Sequence, residues 1–572
     1  MRSLFFSFLF SGAAFAQDAT PPTKPAPTPG GDVPSAAVTA PAAPEGAKQG
    51  AALSAPVPTP VPRPPNVILI VADDLGYSDL GCYGSKTIRT PHLDRMAAQG
   101  TKFTSFYVAQ AVCSASRAAL MTGCYPNRVG MQGALNHTSK EGIHLDERLL
   151  PEMFKQHGYT TAIHGKWHLG TAAMFHPMKH GFDEFWGIPY SNDNSKYHPS
   201  LAAEMPPLPL YDDEKVAQTD PDQSQFTRRI TEKAVSFIRR NEKKPFFLYV
   251  PHVMPHVPIF ASDRFKGQSP NGLYADVVEE LDWSVGIILA AVEQAGVADN
   301  TLVMFMSDNG PFLSYGNHAG SAAPLREGKL TSYEGGVRVP FIARWPGKVP
   351  AGKVSEELFT GMDLLPTLEH LVAASSPAVP AESAAPVSSP ETGTQTGSAG
   401  KPALQEPAKQ AAPTPVAAAS PGRKIDGKDV TDLLLGKEAA KSPHEVVAVY
   451  AGGELQAIRS GEWKLHFAHP YITPHSTPGV DGKPSNWENM KPAAITQSGI
   501  EGIATRHGYQ VAQQSPALYN LKDDVGETKD VSSEHPEVVE RLKKMAEPFR
   551  QQLGDSLTQT KATEARPLGK AQ

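Results

Sequence analysis

Four apolar runs of strand length end in residues that bind ions or move protons. The run at 67–72 leads into Asp73-Asp74, and that at 160–164 into Gly165-Lys166-Trp167-His168. The run at 246–250 leads into His252 and His256, and that at 301–306 into Asp308-Asn309. Asp73, Asp74, Asp308 and Asn309 are hard oxygen donors. Three carboxylates gathered in one place repel one another unless a cation lies between them, and an all-oxygen set suits calcium or magnesium. Each run alone also reads as an ordinary feature, a helix cap for Asp-Asp or a tight turn for Asp308-Asn309-Gly310; their joint placement at strand ends is what points to a site. A fifth element, Cys113-Ser114-Ala115-Ser116-Arg117, follows an extended stretch at 101–108 and opens a helix-compatible run that stops at Gly123. Cys113 then stands at a helix N-terminus, where free N–H groups and the positive dipole end favour an anion, with Arg117 one turn on along the same side. A buried structural cysteine is the plainer reading of that segment by itself.

The pattern around these runs supplies a scaffold. Strand-length apolar stretches alternate with amphipathic helical patterns at 91–98, 225–240, 274–293 and 362–371. That alternation marks an α/β fold, a mostly parallel sheet flanked by helices on both faces. In such sheets ligands bind beyond the carboxyl ends of the strands, where all four polar runs fall. After residue 421 the pattern changes to short strand-like pieces at 446–450, 455–459 and 463–467 and a helical stretch at 536–553, which predicts a smaller C-terminal α+β domain.

Composition narrows the function classes. At 572 residues the chain exceeds what one core usually supports, so one large and one smaller domain are expected. A net charge of -6 with no basic stripe argues against nucleic acid as a partner. Residues 1–16 carry Arg2, an apolar run and Ala14-Phe15-Ala16, the pattern of a signal peptide, and imply a secreted or periplasmic protein. The run is shorter than the roughly 20 residues a bilayer-spanning helix needs, so no stable membrane insertion is expected. Residues 17–65 and 374–421 are dominated by Ala, Pro, Ser, Thr and Gly and are expected to be a disordered linker and a disordered insert. They leave a catalytic segment at 66–373, a C-terminal one at 422–555 and a tail at 556–572. Cys82, Cys113 and Cys124 are the only cysteines, an odd number that leaves at least one unpaired.

Taken in order, the blocks resemble the formylglycine-dependent sulfatases of the alkaline phosphatase superfamily, in particular the branch of arylsulfatase A and N-acetylgalactosamine-6-sulfatase. The resemblance rests on Ala72-Asp73-Asp74-Leu75-Gly76-Tyr77, Cys113 to Arg117 with Leu120-Met121-Thr122-Gly123 behind it, Gly165-Lys166-Trp167-His168 and Pro255-His256. Ser307-Asp308-Asn309-Gly310, and Gly328-Lys329 ahead of Tyr333-Glu334-Gly335-Gly336, complete the set, with a weaker echo in Leu518-Tyr519-Asn520-Leu521 and Gly526-Glu527-Thr528. Two positions depart from the family pattern: Ala115 stands where proline is commoner, and Cys124 where many relatives have arginine.

The resemblance implies an alkaline-phosphatase-like fold in which a maturation enzyme oxidises Cys113 to formylglycine. It implies one calcium ion per chain, held by Asp73, Asp74, Asp308 and Asn309 beside residue 113. Arg117 would fix the formylglycine side chain, and Lys166 and Lys329 would clamp the sulfate. His168 would take the proton from the second hydroxyl of the aldehyde hydrate, and His256 would protonate the leaving oxygen. A sulfated carbohydrate is the expected substrate, its leaving group facing loops at 190–213 and 317–325; His164, His252 and His318 are further candidates for contact with it. Two other readings stay open. One is a phosphomonoester or phosphonate hydrolase of the same superfamily, although phosphatases there typically use serine or threonine with two zinc ions. The other is a non-catalytic glycan-binding relative, should Cys113 remain a thiol.

Overall fold

The structure, a computed structural model, describes residues 63–375 and 423–571. The signal-peptide pattern, the 17–65 linker up to residue 62 and the 374–421 insert from residue 376 lie outside the described residues.

The strands of the first part are β1 (Asn66–Ala72), β2 (Thr101–Tyr107), β3 (Glu141–Gly142), β4 (Thr160–Lys166), β5 (Glu184–Ile188), β6 (Pro209–Asp212), β7 (Lys215–Thr219), β8 (Phe246–Pro251), β9 (Thr301–Ser307), β10 (Arg338–Arg344), β11 (Lys353–Ser355) and β12 (Phe359–Thr360). All but β3 form one sheet, in the order β11-β2-β10-β9-β1-β8-β4-β5-β6-β7, with β12 beside β2. The central β1, β8, β9, β4 and β5 run parallel, while β10, β6 and β7 pair antiparallel at the flanks. The sequence of β1, Asn-Val-Ile-Leu-Ile-Val-Ala, is buried at every position, as a parallel strand covered on both faces requires.

The helices are α1 (Pro91–Ala98), α2 (Cys113–Thr122), α3 (Leu150–Gln156), α4 (Phe226–Asn241), α5 (Leu273–Gln294), α6 (Glu334–Val337) and α7 (Leu364–Ser375). Because successive strand residues face opposite ways, β1 divides its side chains between two cores. Val67, Leu69 and Val71 pack with residues of α2, α3 and α7, whereas Ile68, Ile70 and Ala72 pack with α1, α4 and α5. The expected helix at 362–371 begins later, after a 3-10 turn at Gly361–Asp363, and runs on to Ser375.

Beyond residue 422, α8 (Thr431–Leu434) adds Val430, Leu433 and Leu434 to the core of the first part. An antiparallel sheet follows, built from β13 (Val447–Ala451), β14 (Glu454–Ser460), β15 (Trp463–His466) and β18 (Ala517–Asn520) and packed against α10 (Pro536–Leu553). Between β15 and β18 the chain makes an excursion, the hairpin β16 (His469–Pro474) and β17 (Tyr509–Gln514) with α9 (Ile500–His507). The last residues turn back: β19 (Gly569–Lys570) pairs with β3.

Candidate active site

Strand register brings the carboxylates together. Ala72 of β1 is level with Ser307 of β9, so Asp73 and Asp308 leave the sheet side by side, and the Asp308 N–H donates to the Ala72 carbonyl at 3.1 Å. Asp74 follows in the left-handed region, φ 64°, as does His168, φ 64°. Such backbone conformations in non-glycine residues are costly and gather at functional sites. Gly165, φ 136°, precedes Lys166 where β4 crosses close to β8; a Cβ there would lie 1.9 Å from the Pro251 carbonyl oxygen. Only glycine allows that approach.

Cys113 is the first residue of α2, a helix buried on all sides and ended by Gly123 in the left-handed conformation. Its Sγ lies 3.5 Å from Asp73 Oδ1, and Lys329 Nζ donates to it at 3.3 Å. Burial, only partly opposed by Lys166 and Lys329, pushes the thiol well above its ordinary pKa.

The cations stand among the carboxylates. Arg117 donates to Asp308 Oδ2 from Nη2 at 2.8 Å and from Nε at 3.0 Å, and its Nη2 is 3.4 Å from Asp73. Lys166 Nζ bonds Asp73 Oδ2 at 2.6 Å, and Lys329 Nζ lies 2.8 Å from Asp74 Oδ1. Burial by itself would raise the Asp73 pKa; Lys166, then Arg117, reverse this and hold it below the usual carboxylate range. Burial would likewise discharge Lys329, but Asp74 keeps it charged. The mutual repulsion of carboxylates expected from the sequence is thus met in part by side chains of the protein itself.

Two acceptors are left over. Asn309 Nδ2 donates to Asp74 Oδ1 at 2.7 Å, which fixes its Oδ1 as the free oxygen, buried without a partner. His168 Nε2 donates to the Leu135 carbonyl at 2.8 Å, so that nitrogen carries the proton. Its Nδ1 is then a buried lone pair, also without a partner. Burial, reinforced by Lys166, keeps the ring neutral. One ligand atom each of Asp73, Asp74, Cys113 and His256 lies within 4.8 Å of the others, a cluster able to hold a metal ion.

The structure singles out residues within the 190–213 loop, which the sequence named only as a whole, and adds one from the C-terminal part that the sequence did not signal. Ser191, from the loop after β5, lies between Lys166 Nζ and His256 Nε2, 3.3 Å from each. Asp193 follows it; burial would raise its pKa, and His256, His198 and His507 hold it low instead. His507 comes from α9 in the C-terminal excursion. Its Nδ1 shares a hydrogen bond with the Tyr315 hydroxyl at 2.8 Å, and its ring lies tilted against Phe312, whose ring lies beneath Lys329 Nζ. No periodicity marks these loop positions. Conversely, His164 and His252 face away from this cluster: His164 packs on Phe237 of α4, and His252 bonds Ser284 of α5 at 3.2 Å. His318 is half-buried beside the Gly482 turn. Cys82 and Cys124 are both free thiols.

Comparison with known proteins gives this arrangement a family. The family model described as Sulfatase matches residues 65–374, and that described as the C-terminal region of aryl-sulfatase matches 442–570. Canine N-acetylgalactosamine-6-sulfatase is 34% identical over 505 residues, covering 84% of this chain and 84% of its own. Human arylsulfatase A is 34% identical over 509 residues, covering 84% of this chain and 87% of its own. Among solved structures, Ps i-CgsB in complex with k-i-k-neocarrahexaose superposes with a TM-score of 0.61 at 28% identity, over 85% of this chain and 93% of that one. The chain belongs to the sulfatase family and is a sulfuric ester hydrolase.

Proposed function

We propose that the enzyme cleaves sulfate esters of carbohydrates with a formylglycine made from Cys113 and one calcium ion bound beside it. The observation that carries this reading is the placement of Cys113, first residue of α2, with its buried Sγ 3.3 Å from Lys329 Nζ and 3.5 Å from Asp73 Oδ1, where burial pushes the thiol pKa up. A thiol so held is a poor nucleophile. The hydrate of an aldehyde at that position supplies two hydroxyls on one carbon. One oxygen bonds sulfur as the ester S–O bond breaks; loss of the other's proton then forms C=O and expels sulfate with the electrons of the breaking C–O bond. Conversion needs a formylglycine-generating maturation enzyme as partner.

The donor set fits calcium. Asp73, Asp74, Asp308 and Asn309 would hold it, and Asn309 Oδ1 is already a buried oxygen lacking a donor. When bound, the ion supplies Lewis-acid neutralisation of a sulfate oxygen and acidifies the neighbouring hydroxyl. Asp73, Asp74 and Asp308 balance Arg117, Lys166 and Lys329 in charge, so a dication leaves an excess of positive charge for an anionic ester. Arg117 keeps its carboxylates and orients residue 113, while Lys166 and Lys329 turn toward sulfate oxygens as preorganised donors. His168 Nδ1 accepts the hydroxyl proton. His256 Nε2, steadied by Ser191, gives one to the leaving oxygen.

A sugar leaving group is supported by the carbohydrate named in the complex of the solved relative and by the galactosamine sulfatase among the curated ones. Export through residues 1–16 suits such a substrate, and no helix among the described residues is long and apolar enough to cross a membrane. The test is a series of aryl sulfates of graded leaving-group pKa. His256→Ala should lower kcat/KM about 10² to 10⁴-fold for poor leaving groups and little for good ones. Parallel slopes for wild type and variant would assign His256 to sulfate binding instead.

A further inference from the structure

We propose that the C-terminal tail, residues 563–571, is a positioning element of the active site: it clamps the loop 128–142, whose Leu135 sets the orientation and tautomer of His168. The inference rests on the reading of His168 as the proton acceptor.

Leu135 is tied to the chemistry through both polar atoms of its backbone. Its N–H donates to Ser114 Oγ at 3.0 Å, next to Cys113, and its carbonyl accepts from His168 Nε2 at 2.8 Å. One residue therefore spans from the neighbour of the nucleophile to the ring of the base. That residue lies in neither helix nor strand. The bonds its loop makes within itself are short-range turns, such as Asn136 N–H to Ser139 Oγ at 2.9 Å. What holds the loop comes in large part from outside.

The tail grips it on both sides of Leu135. Before it, the Arg566 N–H donates to the Arg128 carbonyl at 2.6 Å. After it, β19 pairs antiparallel with β3, and the Ala571 N–H donates to the Lys140 carbonyl at 2.8 Å. The Arg566 guanidinium anchors the tail through a two-pronged contact with the buried Glu147, Nε to Oε1 at 2.7 Å and Nη2 to Oε2 at 2.8 Å. The far end of the clamp returns to the base: the Ile143 N–H donates to the Leu169 carbonyl, adjacent to His168, at 2.8 Å. The Phe175 ring fills the seam so tightly that a Cβ on Gly569 would lie 2.5 Å from it.

His168 needs this support because its backbone is in the left-handed region and its functional nitrogen has no partner to hold the ring. A base displaced by about 1 Å can cost on the order of 10²-fold in rate.

The test uses Ala571→Pro, which removes the donor to Lys140 while leaving the extended Lys570 undisturbed, together with Arg566→Ala, Arg566→Lys and deletion of 563–572. Should the deletion fail to fold, the point variants carry the test. The expected result is a kcat about tenfold to a hundredfold lower with KM little changed, partial recovery in Arg566→Lys, and faster hydrogen exchange of the Leu135 amide in the resting protein. In a His168→Ala background the same tail changes should have no further effect on kcat. Tail variants with kcat within about twofold of wild type, or an undiminished loss in the His168→Ala background, would overturn the proposal. Normal turnover by His168→Ala alone would overturn the role of His168 as well.

Discussion

Two clusters of buried charge among the described residues make a contrast, because one has the makings of a site and the other does not. At the strand ends, Asp73, Asp74 and Asp308 meet Arg117, Lys166 and Lys329. At the junction with the C-terminal sheet, Glu334 and Glu527 share Lys464 Nζ, 2.9 Å from each, with Arg338, Arg459, Tyr107 and His466 around them. Asp73, Asp74, Asp308, Arg117, Lys166 and Lys329 in the one, and Glu334, Glu527 and Lys464 in the other, are all buried. They differ in what is left unmet. Every carboxylate oxygen at the junction has a donor, Glu527 Oε2 taking the Glu334 N–H at 2.7 Å. At the strand ends Asn309 Oδ1 and His168 Nδ1 have none. Burial and charge alone describe a structural network; unmet hydrogen-bonding capacity beside a nucleophile describes a site ready for a ligand.

The comparison breaks if the two clusters respond alike to mutation. Cys113→Ala should abolish sulfate ester turnover and leave the thermal midpoint nearly unchanged, since a small side chain is removed. Lys464→Ala should do the reverse. It strands two buried carboxylates, at a cost of about 3–5 kcal/mol in urea unfolding, while the molecules that remain folded keep their kcat.

Metal removal sharpens the contrast. A chelator should lower the thermal midpoint of the wild type, and calcium should restore it, by about 2.7 kcal/mol at roughly a hundredfold excess over its Kd. Asn309→Ala should lose most of that response, and Lys464→Ala should retain it. Equal responses in the two variants would detach calcium from the strand-end site.

The smallest effect concerns Asp282, a buried carboxylate that accepts the N–H groups of His92 and Leu93 at the start of α1. Burial, only partly opposed by those two N–H bonds, lifts its pKa from 3.8 to about 7. The folded state then binds the proton more tightly than the unfolded state, so stability present at low pH is lost as pH rises through that window. Asp282→Asn should flatten the pH dependence of unfolding there. An unchanged slope would show that burial alone does not raise a carboxylate in this fold.

The sheet and most of the cluster were legible because they obey periodic rules. The apolar runs predicted β1, β4, β8 and β9 to within a residue or two, and the helices at 91–98 and 536–553 coincide with α1 and α10. Cys113 opens α2 as its neighbours required. What escaped has physical reasons. β10 carries Pro340, which reads as a strand breaker and falls where the register with β2 shifts. Ser191, Leu135 and His507 reach the site region from loops and from a helix in a polar stretch, positions fixed by tertiary contacts rather than by pattern. His164 and His252 followed apolar runs correctly, but strand alternation turns one, and its bond to α5 the other, toward the opposite face.

The most direct test of the formylglycine account is the mass of the tryptic peptide 103–117, which contains Cys113 and ends at Arg117. Protein purified from cells that carry a formylglycine-generating enzyme should yield this peptide with the thiol replaced by an aldehyde, captured by a hydrazide, in proportion to specific activity on an aryl sulfate. A fully active preparation in which Cys113 is recovered only as an alkylatable thiol would contradict it.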